Sequence, residues 1–151
     1  MEFRRFLPRT THRVLEHTSD SVNRRIAAQT RANVEKYGLM GSDAIDRRVR
    51  ELEREWDVER TLETAGSLNV MLGLMLGAFV HRRFFAWSGV VAGFLLLHAL
   101  QGWCPPLPVL RRLGFRTAAE IDEEINALRM IRGDLRPTTD VDEALSRAHL
   151  N

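Results

Sequence analysis

The sequence of 151 residues holds one cysteine and one tyrosine, and Lys36 is the only lysine among its 22 basic residues. A single cysteine, Cys104, excludes an intrachain disulfide. The net charge is only +2, and in residues 1–59 acidic side chains nearly match the basic ones. Because a nucleic-acid-binding surface needs an excess of positive charge, we expect no nucleic acid among the partners.

Two further absences narrow the function. Residues 1–20 contain no apolar core of the kind that a secretory signal needs, so we expect no such signal. No group of His, Cys, Asp and Glu has the spacing of metal ligands, and no constellation of residues supports an independent enzyme. We therefore expect neither a metal nor a cofactor, and we do not expect an enzyme.

What the chain does have is two long apolar runs, 65–80 and 84–110, separated by a basic segment at 81–83. The first run holds 16 residues without a charge, and it reaches the length of a membrane-spanning helix, about 20 residues, if 61–64 are included. The alternative is a soluble bundle that buries the same two runs, and the apolar content of 44% is ordinary for a soluble domain.

Local features favour the membrane over the soluble bundle. Glycine recurs inside both runs, which weakens a soluble helix but permits close helix packing in lipid. Trp87 and Trp103 lie near the two ends of the second run, where membrane proteins form aromatic belts. The sequence therefore predicts an all-α protein with a transmembrane helical hairpin, whose spans cover about 61–80 and 84–104 of the chain and whose surroundings are the lipid bilayer.

The hairpin divides the chain into a cytoplasmic helical N-terminal region (1–59), the hairpin with its proline-rich turn (60–110), and a cytoplasmic C-terminal helix and tail (111–151). Arginines near the membrane are more numerous on the side of the termini than at the loop. The positive-inside rule then places both termini in the cytoplasm, with a multi-pass topology. The membrane that we expect is a bacterial inner membrane. The interface anchors that we expect are Arg60, Trp87, Trp103, Arg111 and Arg112.

Each span carries a small-residue motif, Gly73-x-x-x-Gly77 in the first and Gly89-x-x-x-Gly93 in the second. Glycine lets helix backbones approach closely, so we expect the two motifs to face each other inside the hairpin.

Polar residues inside the spans suggest further packing. Asn69 and His98 lie at similar depth, and a hydrogen bond between them would contribute about 1 kcal/mol. His98 and Gly93 point to different faces of one helix, which favours an oligomer in which each face has a neighbour. A haem or metal role for His98 would need a ligand from a second protomer, so we favour packing or a helix–helix hydrogen bond.

Amphipathic helices are expected on both sides of the hairpin. Residues 14–37 show a weak helical pattern that Gly38 and Gly41 end. Ser42 is a good N-cap for a second helix, and because no glycine or proline interrupts 43–65, we expect that helix to continue unbroken into the first span. Its apolar stripe, more typical of packing than of a ligand site, consists of Ile45, Val49, Leu52 and Trp56.

Three prolines within 105–108 end the second span in an irregular turn. Thr117-x-x-Glu120 is a capping box that opens a helix, and Gly133 closes it. Anionic lipid would repel the acidic face of this helix, so we expect it to pack on the N-terminal region. The tail, 135–151, is as consistent with disorder as with a short last helix. The apolar stripe of the helix consists of Ile121, Ile125, Leu128 and Ile131.

Two segments, DVERTLETAG at 57–66 and HALQGWCPPLPVLRRLGFRTAAEIDEE at 98–124, flank the short basic loop. Together with the hairpin they resemble the YgaP-like inner-membrane transmembrane domain family. The resemblance covers about 57–133, and the Trp-Cys-Pro turn followed by Arg-Arg-Leu-Gly is its most specific part. It implies a two-helix membrane module, which in that family occurs alone or joined to a rhodanese sulfurtransferase domain. Here an arginine-rich helical extension stands in place of that domain, so sulfurtransferase activity is not implied.

These observations favour a small inner-membrane structural or interaction protein, a membrane anchor or scaffold that self-associates as a homo-oligomer or docks a partner. One alternative is a thiol or persulfide relay through Cys104 with a sulfurtransferase partner, in which Arg111 and Arg112 promote the thiolate. No base is adjacent to Cys104, so its packing as a small apolar residue is the simpler interpretation. A second alternative is an accessory subunit of a larger membrane protein complex.

Overall fold

The computed structural model describes residues 12–134, and over that range it contains helices and no strand. The all-α prediction is therefore confirmed for the described part of the chain, and the tail at 135–151 lies outside it. The helices are α1 (Arg13–Glu16), α2 (Asp20–Leu39), α3 (Ser42–Leu52), α4 (Val58–Phe79), α5 (Phe84–Gln101), α6 (Leu107–Leu113) and α7 (Ala118–Arg132).

Helices α2, α3 and α7 form a bundle, in which α7 packs against both of the others. Apolar side chains recur every three or four positions along α3 and α7, so each helix buries one face. Thr117 and Glu120 cap the start of α7 through a reciprocal capping box, and Gly133, at φ +93°, follows its last turn. The bundle core consists of Ile45, Val49, Leu52, Ile121, Ile125 and Leu128, with Val34 and Tyr37 packed against it.

A break separates the bundle from α4, so the prediction of one unbroken helix from α3 into the first apolar run is wrong. Helix α3 ends at Leu52 and α4 begins at Val58. The Asp57 carboxylate accepts a hydrogen bond from the backbone N–H of Arg60 at 2.6 Å and so caps α4. The N–H of Val58 donates to the carbonyl of Arg116 at 2.8 Å. A side-chain cap and a distant backbone acceptor thus start a new helix without glycine or proline.

Smaller differences follow at the ends of these helices. Gly41, at φ +91°, occupies the N-cap position of α3, and Ser42 is the first helical residue instead of the cap. Trp56 lies beyond α3 and is 47% exposed, with the guanidinium of Arg60 over its ring at 4.7 Å. Ile131 is also exposed. Trp56 and Ile131 therefore belong to neither buried stripe.

Helices α4 and α5 pack against each other as an antiparallel pair. Gly66 in the first half of α4 lies against Leu95 in the second half of α5, whereas Gly77 near the end of α4 lies against Phe85 near the start of α5. Both helices are long and apolar enough to cross a membrane. The rest of the chain buries only 17% of the most apolar stretch of α4 and 11% of that of α5.

A second apolar cluster, the junction core, connects α1, α4 and α6. Its buried members are Val14, Val58, Leu62, Cys104 and Leu107, and Leu110 and Phe115 pack against it. Helix α6 forms inside the proline-rich turn. Proline is tolerated in the first turn of a helix, because the N–H groups of that turn have no acceptor within the helix and no hydrogen bond is lost. The predicted division of the chain between residues 110 and 111 therefore falls within a helix.

Candidate functional site

Cys104 lies in the junction core and is only 5% exposed. Burial raises the pKa of its thiol above the ordinary value. Since a cysteine reacts as its thiolate, both the burial and the raised pKa oppose the activation that a persulfide relay needs. The surroundings of Cys104 suit a packing role.

Arg111, one of the five expected interface anchors, is fully buried and cannot serve as one. Its guanidinium holds both carboxylate oxygens of Glu120, at N···O distances of 2.6 and 2.8 Å. Burial alone would raise the pKa of Glu120, but hydrogen bonds from Arg111 and Thr117 hold that pKa below its ordinary value. The remaining acceptors around Arg111 are Thr18, Asn23 and the carbonyl of Phe115.

Glu124 is a fully buried carboxylate of α7, and it binds two arginines. It accepts hydrogen bonds from Arg116 and from Nε of Arg48, the latter at 2.9 Å. Arg116 also holds Glu55 through two bonds of 2.6 and 2.9 Å. Burial lowers the pKa of Arg48 and Arg116, but their hydrogen bonds to the carboxylates more than offset this effect, so both pKa values are raised. The two arginines therefore stay charged, and the pair between Arg48 and Glu124 joins α3 to α7.

The sequence contains one signal for this network. Glu124 lies three positions after Ile121 and four before Leu128, on the same face of α7 as the apolar stripe. A carboxylate on a buried stripe requires a cationic partner, because burying an unpaired charge is costly. Arg48 and Arg116, in contrast, look like ordinary surface arginines in the sequence.

The two glycine motifs do not face each other, so that prediction is wrong. A Cβ at Gly73 would overlap Oγ of Ser88, and one at Gly77 would lie 2.7 Å from the ring of Phe85. Among residues 12–134, nothing lies within 4 Å of the same position at Gly89 or Gly93. The close approach of α4 and α5 thus uses the glycines of α4 only, together with Gly66, which sequence reasoning missed.

Asn69 and His98 do not form the predicted hydrogen bond. The amide of Asn69 donates to the carbonyl of Ala65, one turn earlier in α4, at 2.9 Å. His98 is 4% exposed, and within residues 12–134 neither of its ring nitrogens has a hydrogen-bond partner. His98 lies in the last turn of α5, beside Ala99, whose carbonyl accepts a hydrogen bond from Arg13 of α1. It is therefore at the end of the helix pair that adjoins the bundle.

Arg13 attaches α1 to this end of the helix pair. It donates to the carbonyl of Ala99 in the last turn of α5 at 3.0 Å and pairs with Glu59 of α4 at 3.3 Å. A cation at a helix C-terminus is favourable because the last carbonyls carry partial negative charge. Gly102, at φ +78°, passes so close that an added Cβ would lie 2.7 Å from the backbone of Arg13.

The other four expected anchors lie at the surface. Trp87 is 54% exposed and Trp103 is 36% exposed, and the latter ring meets Phe94 edge to face with centroids 6.3 Å apart. Arg60 and Arg112 are exposed as well.

An apolar groove of about 450 Å³ lies between α4, α5 and the proline-rich turn. Cys104, Phe94 and Pro105 are among the residues that line it. Its few polar groups include Asn69, whose amide is already bonded within α4. Over residues 12–134, no three His, Cys, Asp or Glu side chains cluster in a way that could hold a metal ion. The groove is suited to apolar groups, and none of its residues is activated for chemistry.

No protein-family model, curated protein or solved structure matches this chain. The resemblance to the YgaP-like family therefore stays a prediction based on residues 57–133.

Proposed function

We propose that this chain is a small inner-membrane interaction protein, in which α4 and α5 form a transmembrane hairpin that holds the helical bundle at the cytoplasmic surface. The exposed apolar surface of the two helices carries this proposal. A soluble monomer rarely exposes a contiguous apolar patch of more than a few hundred Å². The large exposed side chains include Leu68, Met71, Leu72, Leu74, Met75, Phe79, Phe85, Val90, Leu96 and Leu100.

The low burial of these helices supports the membrane over a soluble core. A core helix of a soluble protein would be mostly buried, whereas the apolar stretches of α4 and α5 are 17% and 11% buried. Trp87 and Trp103, near opposite ends of α5, suit the two interfaces of a bilayer.

The proposed orientation rests on exposed arginines. Arg54, Arg60 and Arg112 are exposed at the end of the helix pair that adjoins the bundle, against Arg82 and Arg83 at the loop. This bias favours the termini in the cytoplasm. The ion-paired Arg111 and Arg116 add less to it, since carboxylates neutralise them.

The role that we propose is structural: the hairpin anchors the chain, and the bundle and hairpin bind a second copy or a partner. The open face of α5 at Gly89 and Gly93 supports self-association, because a glycine that no described residue of its own chain contacts leaves room for another helix. The burial of the Cys104 thiol makes a persulfide relay through this residue the weaker alternative.

Alkaline extraction of membranes that contain the tagged full chain tests the insertion. We expect the wild type to stay in the pellet. Replacing Leu72 and Met75 by arginine places charge near the middle of α4, at about 2.5–3.5 kcal/mol each for insertion, and the variant should be released. Arginine at Ala28 and Ala32, two exposed positions of α2, is the matched control and should leave the protein in the pellet. Release of the wild type would contradict the proposal.

Labelling of introduced cysteines tests the orientation. In a Cys104→Ala background, His81→Cys lies at the loop and Asp122→Cys lies on the exposed face of α7. A membrane-impermeant maleimide applied to intact spheroplasts should label the first and leave the second unlabelled until the cells are lysed. The reverse pattern would invert the proposed topology.

Native mass spectrometry after mild extraction tests the interaction role. We expect a mass of two or more identical chains, and Gly89→Leu with Gly93→Leu should shift it to the monomer. Val90→Leu, at a neighbouring exposed position of α5, is the matched control. A stoichiometric foreign subunit in place of a second copy would favour the accessory-subunit alternative.

A further inference from the structure

The bundle carries a surface cleft of about 490 Å³ beside the turn that precedes α7, and four arginines line it. Two of them form a fixed floor. The side chains of Arg48 and Arg116 are 17% and 9% exposed, and Glu124, which is fully buried, holds both. The other two, Arg25 of α2 and Arg112 of α6, lie exposed at the rim.

The rim arginines carry charge that the cleft does not balance. Arg25 donates to the backbone carbonyl of Arg112 at 2.6 Å, which places the two residues side by side. Among residues 12–134, no carboxylate forms an ion pair with either of them. The two carboxylates at the cleft, Glu55 and Glu124, are already bound to the floor arginines. Two positive charges therefore remain without a counter-charge from the described part of the chain.

Uncharged donors surround the same space. The side-chain amides of Gln29 and Asn33 line the cleft next to the floor arginines. Each amide nitrogen makes one of the two hydrogen bonds that it can donate, Gln29 to Asn33 and Asn33 to Glu124. The cleft thus presents N–H groups of two kinds, guanidinium and amide.

We propose that this cleft binds a phosphate-bearing anion, with Arg25 and Arg112 as the groups that contact it and with the ion-paired Arg48 and Arg116 as a fixed floor. The planar fork of a guanidinium matches two phosphate oxygens. A floor held by a buried carboxylate loses little freedom on binding. The binding chemistry goes beyond the role of the hairpin, because no residue that lines the cleft belongs to α4 or α5.

The anion has two possible sources, a phospholipid headgroup and a free phosphate. Val109 and Leu113 on α6 are 56% and 71% exposed, and Leu113 lines the cleft beside Arg112. An apolar side chain next to a phosphate site suits a lipid, and this source rests on the proposed membrane location. A free phosphate needs no membrane.

The test uses the purified full chain in a neutral detergent. Calorimetric titration with inorganic phosphate measures the free ion, and native mass spectrometry with phosphatidylglycerol, in competition with phosphatidylcholine, measures the lipid. Arg25→Gln with Arg112→Gln should weaken binding about tenfold or more for each arginine removed. Arg47→Gln with Arg50→Gln removes the same charge from exposed positions of α3 that do not line the cleft, and it should bind as the wild type does.

Selective loss of phosphatidylglycerol in the rim variant would establish the lipid source, and selective loss of phosphate affinity would establish the free ion. Equal binding by all three proteins, or binding by none, overturns the proposal. Both variants should keep the helix content and melting temperature of the wild type, since none of the four replaced arginines forms an ion pair within residues 12–134. The phosphate titration remains decisive even if alkaline extraction shows that the chain is not inserted.

Discussion

The bundle and the pair of helices α4 and α5 differ in which side chains they bury and which they expose. In the bundle and the adjoining α6, the side chains of Glu124 and Arg111 are completely buried, and each is neutralised by partners of opposite charge. In the helix pair, large apolar side chains such as Leu72 and Phe79 are exposed. Burial is therefore a poor guide to hydrophobicity in this chain. Charged side chains are buried where they form ion pairs, whereas α4 and α5 expose apolar surface that suits lipid.

The largest effect should come from breaking the ion pair between Arg111 of α6 and Glu120 of α7. Glu120→Gln keeps a side chain that can complete the capping box but leaves the guanidinium of Arg111 without its counter-charge. We expect a loss of about 3–5 kcal/mol in the free energy of unfolding, because an unpaired buried charge remains. Chemical denaturation followed by circular dichroism measures it. Glu123→Gln, on the exposed face of α7, should change the stability by less than about 0.5 kcal/mol.

Acid should weaken the same pair in the wild type. The pKa of Glu120 is lowered in the folded protein from its ordinary value of 4.5. The unfolded chain therefore takes up the proton first as the pH falls, and the stabilisation by this group is complete above 4.5 and declines below it. Melting temperatures between neutral pH and acid should fall less steeply for Glu120→Gln than for the wild type. Parallel curves would show that Glu120 does not carry this dependence.

Replacing a glycine should separate the two faces of the helix pair. Gly73→Ala forces Ser88 to move, and we expect a cost of about 1–3 kcal/mol. Gly89→Ala meets open space, and the better helix propensity of alanine should stabilise the monomer by up to about 1 kcal/mol. Unfolding in mixed micelles, at a protein concentration at which the chain is monomeric, measures both. Equal costs in the monomer would show that Gly89 packs against its own chain.

The smallest effect should come from the junction core. Cys104→Ala removes only a sulfur atom from a packed cluster, and we expect a loss of about 1 kcal/mol. In the wild type, labelling of Cys104 by a maleimide should be at least about 100-fold slower than in the denatured protein, since the buried thiol stays protonated. Fast labelling of the folded chain would restore the relay as a candidate.

The sequence predicts the elements that local patterns define. The apolar runs indicate α4 and α5, and Thr117 with Glu120 indicates the start of α7. Each of these signals is local, because its residues belong to the helix that it predicts. The break before Val58 depends on the carbonyl of Arg116, far along the chain, and no local pattern announces it.

The site could be predicted only in part, for the same reason. The partner of Arg111 lies across a turn, so an arginine that reads as an interface anchor is a core residue. The open position of Gly89 depends on the rotation of α5 about its axis, which packing against α4 determines. Glu124 was the one member of the charged network that could have been recognised from its place on the apolar stripe.

The hydrogen bond from the N–H of Val58 to the carbonyl of Arg116 connects the helix pair to the bundle. It holds the first turn of α4 to the turn before α7, and in that turn the side chain of Arg116 binds Glu55 and Glu124. A spanning helix changes its tilt when the bilayer becomes thinner or thicker. If α4 spans the bilayer as proposed, its tilt must either break this bond or move the turn with it, and the floor of the arginine-lined cleft would then respond to bilayer thickness.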